Sequence, residues 1–116
     1  MLWWTDDPEL VRAGARAAIE DPGNDVLVSA ASVWEAAVKV AAGRLRMPIG
    51  LGEAAAAAGF VELPIRWRDA RGAAALPPLH SDPFDRMLVA QALEEGLILV
   101  TRDRAVLQYP VPTLAA

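Results

Sequence analysis

Read by its alternation of apolar and polar positions, the chain is a succession of helices and short apolar runs, with one stretch sharper than the rest. In Asp82 to Asp103, DPFDRMLVAQALEEGLILVTRD, residues Phe84, Met87, Leu88, Gln91, Ala92 and Glu95 recur at spacings of three and four. That period predicts a helix with one largely apolar face and polar edges. Asp82 is placed to cap it, Pro83 takes the first helical position and Gly96 stops it. Leu97 to Val100 is an unbroken apolar run, as expected of a strand covered on both faces. Thr101-Arg102-Asp103 leaves that strand at its carboxyl end.

The remaining elements follow in the same way. A helix is expected from Asp7-Pro8 to about Ile19, then the turn residues Asp21 to Asn24 and a buried strand, Val26 to Val28. Ser29 to Ser32 leads into a helix ending at Gly43, in which Ser32 and Glu35 form the S-x-x-E pattern of a capping box. A basic connection, Arg44 to Pro48, precedes an alanine-rich helix from Leu51 to Ala58, stopped by Gly59. Phe60 to Pro64 reads as an edge strand, and Trp67 to Leu76 as a weak helix broken by Pro77-Pro78. After Asp103 come a short helical turn to Tyr109 and an extended segment, Val111 to Leu114, also at an edge. This alternation predicts one α/β domain over residues 1–116, with a parallel sheet flanked by helices.

The pattern also places the chemistry. A helix that feeds a strand in an α/β layer runs antiparallel to it. Asp85, in the first helical turn, and Asp103, just past the strand, are therefore expected to face one another at the edge where open α/β sheets bind ligands. Glu35, one turn into a helix that follows strand 26–28, belongs to the same edge. Converging carboxylates repel unless a cation lies between them, and oxygen donors of this kind suit Mg²⁺ or Mn²⁺. Each acid also has a plainer role: Glu35 as the capping partner of Ser32, Asp85 as a complement to the positive helix N-terminus, and Asp103 as a loop charge. His80, the only histidine, reads as a structural or solvent-facing residue. Trp34 and Trp67 lie in helical patterns and read as core or interface residues rather than base-stacking platforms.

Composition narrows the classes. With 116 residues, 54% of them hydrophobic, the chain is large enough for one core. The formal charge of −4 argues against a purely electrostatic nucleic-acid binder. Phosphate contact by Arg44, Arg46, Arg86 and Arg102 is compatible with it. The absence of cysteine excludes disulfides, thiolate zinc sites and a cysteine nucleophile, and fits a cytoplasmic location. No apolar run approaches the roughly 20 residues of a membrane span.

The segments VLVSAASVWEAAVKVAAGRLRMP, FVELPI, LPPLHSDPFDRMLVAQALEEGLILVTRD and YPVPTL together resemble the PIN-domain ribonucleases. The likeness is in particular to the VapC-type toxins of bacterial toxin–antitoxin pairs, and it covers nearly the whole chain from about residue 6. It implies a three-layer α/β domain with a short, mainly parallel sheet. It implies hydrolysis of single-stranded RNA with one or two Mg²⁺ or Mn²⁺ ions, a cognate antitoxin as partner, and a homodimer. The family's acids fall on Glu35, Asp85 and Asp103, with Thr101 as a hydroxyl beside the last acid and Ser32 as a further supporting hydroxyl.

The resemblance departs at the start. Members of the family open with a central strand ending in an Asp, whereas this chain opens at Leu2-Trp3-Trp4, and Asp6 and Asp7 read as cap residues. The expectation is that the first central strand and its Asp are missing, so that strands 26–28 and 97–100 lose ladder partners and activity is impaired. The alternative reading is an inactive PIN remnant serving as a dimerisation or antitoxin-binding module. A receiver-like phosphate-binding domain is disfavoured, because the one lysine, Lys39, lies in mid-helix rather than after a late strand.

Overall fold

The computed structural model describes residue 20 and residues 22–79, 81–101 and 106–115. The expected first helix, residues 7–19, and the chain opening lie outside these, as do His80, Arg102 and Asp103. In chain order the described elements are β1 (Leu27–Ser29), α1 (Ala30–Ala41), α2 (Leu51–Ala57), β2 (Val61–Leu63), α3 (Trp67–Ala75), α4 (Pro83–Glu95), β3 (Leu99–Thr101), a single 3₁₀ turn (Val106–Gln108) and β4 (Thr113–Ala115). This is the α/β alternation expected from the sequence, with parallel strand pairing throughout.

The strands form two ladders. β1 pairs with β2 in the register Leu27–Val61, Val28–Glu62 and Ser29–Leu63. β3 pairs with β4 in the register Leu99–Thr113, Val100–Leu114 and Thr101–Ala115. Among the described residues no ladder joins β1 to β3. The central strand expected to be missing is one placed ahead of Leu2, and the described residues, which begin at Glu20, do not bear on it.

α4 holds the two halves together, and its local chemistry explains its limits. The Asp82 carboxylate accepts from the N–H groups of Phe84 (2.8 Å) and Asp85 (3.2 Å), satisfying two donors that the first turn leaves open. Gly96 ends the helix at φ 65°, a left-handed conformation that suits glycine. The expectation of one apolar face is too narrow, because Leu88 to Ala92 are buried without a break. α4 is covered on several sides. Leu88, Val89 and Ala92 pack with Leu99, Val106, Tyr109 and Val111. On another side α3 approaches closely at Gly72, where an added Cβ would lie 3.6 Å from that of Ala90. A smaller cluster forms where Val28 and Ala55 meet Val26, Val33, Leu51 and Phe60.

Two boundaries differ from expectation. β3 begins at Leu99, and Ile98 is 58% exposed, so the run 97–100 is not a strand covered on both faces. The first two residues belong to the turn after Gly96, where Leu97 N–H donates to the Ala92 carbonyl (2.9 Å). α1 begins at Ala30, and its N-cap is Ser29, whose hydroxyl accepts from Ala31 N–H (3.0 Å). Ser32 is therefore inside the helix, and the expected Ser32–Glu35 capping box does not form.

Two stability predictions arise here. Asp82→Ala should destabilise the fold by about 0.5–2 kcal/mol in chemical denaturation. Gly72→Ala should raise stability by about 0.5–1 kcal/mol, since the methyl group meets Ala90 at ordinary contact distance and removes the entropic cost of a mid-helix glycine. A lowered melting temperature for Gly72→Ala would show that α3 and α4 cannot take the extra methyl.

Candidate metal centre

Glu35 lies in the second turn of α1 and Asp85 in the first turn of α4. The indole of Trp34 meets the ring of Phe84 edge to face, with centroids 4.9 Å apart and planes at 76°. That contact joins the residue before Glu35 to the residue before Asp85, so the two acid-bearing turns abut. Asp103, the third acid, lies outside the described residues. Among those described, no group of three acids or histidines comes within reach of a common ion.

With the capping box gone, Glu35 loses its purely local explanation at Ser32. Its side chain is only 17% exposed, and its carboxylate lies 3.6 Å from Lys39 Nζ, one turn on. Such i,i+4 pairs contribute about 0.3–0.5 kcal/mol. Ser32 is buried three residues before Glu35, on the same helix face, and its hydroxyl has no hydrogen-bond partner among the described residues. Carboxylates and a hydroxyl are hard oxygen donors of the kind that suits a divalent cation, and Glu35 and Asp85 lie on abutting turns.

The other expected residues divide. Thr101 is the last residue of β3. Arg44 and Arg46 are exposed on the connection after α1. Arg86 is engaged within the fold: its guanidinium donates to the carbonyls of Ala73 (2.9 Å), Leu76 (3.0 Å) and Pro77 (3.0 Å) and to the Tyr109 hydroxyl (3.3 Å). It thereby caps the C-terminal end of α3, whose last carbonyls have no helical partners. Trp34 and Trp67 are not core residues, since Trp34 is 62% and Trp67 86% exposed.

Two buried polar residues were not singled out by sequence. Gln91 is 1% exposed: its amide oxygen accepts from the Ser29 hydroxyl, and its NH₂ donates to the Pro64 carbonyl (3.2 Å). It fastens α4 to the ends of β1 and β2. Asp69 is buried and accepts from Arg66 N–H (2.8 Å), closing the start of α3. The signal for Gln91 was its place on the periodic face of the helix, as an amide between Ala90 and Ala92.

The described residues thus form a parallel α/β domain in which Glu35 and Asp85 lie on abutting helix turns. The PIN-domain family model matches residues 1–111, and the chain belongs to that family. PIN domains are nucleases acting on RNA or DNA, generally with divalent metal ions, and often occur in toxin–antitoxin systems. Neither the curated proteins nor the solved structures yield a match to this chain. No helix among the described residues is long and apolar enough to cross a membrane.

Proposed function

We propose that this chain is an endoribonuclease that cuts single-stranded RNA with Mg²⁺ or Mn²⁺, the toxin of a type II toxin–antitoxin pair acting in the cytoplasm. The observation that carries the reading is the Trp34–Phe84 contact, which sets the turn bearing Glu35 against the turn bearing Asp85. In this reading Glu35, Asp85 and Asp103 hold the metal, with Ser32 and Thr101 as hydroxyls that orient the carboxylates. A bound divalent ion supplies an activated water and stabilises charge on the phosphate oxygens. Arg44, Arg46 and Arg102 are the proposed phosphate contacts, whereas the bonds of Arg86 favour a structural role for it.

An antitoxin and a second copy of the chain are the proposed protein partners. Support comes from large apolar side chains left exposed on α1 and the connection after it, Val38, Val40, Leu45 and Ile49. The test is incubation of the purified protein with a mixed set of single-stranded RNAs in Mg²⁺, in Mn²⁺ and in EDTA. Metal-dependent fragments that disappear in Asp85→Asn support the ribonuclease. Tight antitoxin binding without cleavage of any RNA would replace it with the binding-module alternative.

A further inference from the structure

A tryptophan on a protein surface needs a reason, because indole is among the costliest side chains to leave in water. Trp34 is 62% exposed, yet it is not loose: its ring is pinned edge to face on Phe84. A ring held by one aromatic neighbour, with most of its surface open, is pre-organised for a second aromatic partner. Its position narrows what that partner is. Trp34 immediately precedes Glu35, and Phe84 immediately precedes Asp85. A strand whose phosphate lies at these acids has its adjoining bases beside the indole.

We infer that Trp34 is a stacking platform for an unpaired base next to the scissile phosphate, and so makes the site select single strands. The inference rests on the ribonuclease reading and adds a specificity residue to it. Unpaired bases present a π-face that duplex bases keep within their own stack, and the stacking is tolerant of base identity. Trp67, though more exposed, sits between Arg66 and Arg68, which pair with Glu94 and Glu95, and neither Glu35 nor Asp85 is its neighbour in sequence.

The test measures binding of the full chain to a short fluorescent single-stranded RNA by anisotropy, in EDTA so that no strand is cut. A base-free strand of the same length serves as the comparison. Wild type should bind the RNA more tightly than the base-free strand. Trp34→Leu should weaken RNA binding by roughly 5- to 150-fold and bind both strands alike, while Trp34→Phe should recover most of the difference. Wild type binding both strands equally would overturn the inference, whatever the variants do. So would a folded Trp34→Leu that binds RNA as wild type does, and if that variant also lost self-association, the indole would be a protein contact instead. No binding of single-stranded RNA by wild type, either in EDTA or with Ca²⁺ in place of the catalytic ion, would remove the ribonuclease reading along with the platform.

Discussion

Replacing Arg86 by methionine is expected to cost about 2–4 kcal/mol of stability. Methionine keeps the apolar stem and removes every donor. The carbonyls of Ala73, Leu76 and Pro77 and the Tyr109 hydroxyl then lose a charged partner together. Hydrogen bonds to a charged group contribute about 1.5–3 kcal/mol each when measured singly. These share one side chain, and water reaches part of the site, so the sum falls well short of four independent bonds. Against a total of about 5–15 kcal/mol for a domain of this kind, the loss should lower the melting temperature by roughly 8–15 °C. Arg86→Lys should recover little of it, because an ammonium cannot reproduce a planar fork that bridges a helix end and a following loop. If Arg86 instead served only to hold phosphate, Arg86→Met would leave the melting temperature unchanged and weaken RNA binding alone.

The second large effect concerns activity. Asp85→Asn should reduce metal-dependent RNA cleavage by at least about 100-fold, since a displaced metal misplaces the activated water. The cap hydrogen bonds of the helix start come from the Asp82 carboxylate and are kept in this variant. Glu35→Gln should behave alike: the ion pair of Glu35 with half-exposed Lys39 is an i,i+4 pair of small stabilising effect. Equal loss of stability and activity in both variants would mean that the acids serve the fold and not the chemistry.

What the sequence disclosed was mostly backbone chemistry that acts over a few residues. Asp82 as cap, Pro83 at the first position and the left-handed glycines Gly43, Gly59 and Gly96 all stand where local rules put them. What it did not disclose depends on partners far along the chain. Ser29 and Ser32 are both acceptable caps by local rules. The choice of Ser29 is seen only with Gln91, 62 residues away, which bonds its hydroxyl where β1 ends. Arg86 looked like a phosphate ligand because an arginine beside an acid is ambiguous until the end of α3 is seen beneath it. The width of the buried surface on α4 was hidden for the same reason, since a period of three and four reports one neighbour and α4 has several. Trp34 fits a helical period, yet its place on that period does not reveal that the face it occupies is open. For the candidate site, element order put Glu35 and Asp85 in early helix turns, and the abutment of those turns is seen only in the Trp34–Phe84 contact.

The central claim is that Glu35, Asp85 and Asp103 act together as ligands of a divalent ion, and Mn²⁺ titration tests it most directly. Free Mn²⁺ is followed by its electron paramagnetic resonance signal as wild-type protein is added. The same titration is run with the Glu35→Gln, Asp85→Asn, Asp103→Asn variant, both proteins being checked for fold by circular dichroism. Wild type should remove Mn²⁺ from solution saturably and the folded triple variant should not. Equal uptake of Mn²⁺ by the two proteins would contradict the account and leave the three acids as ordinary surface charges.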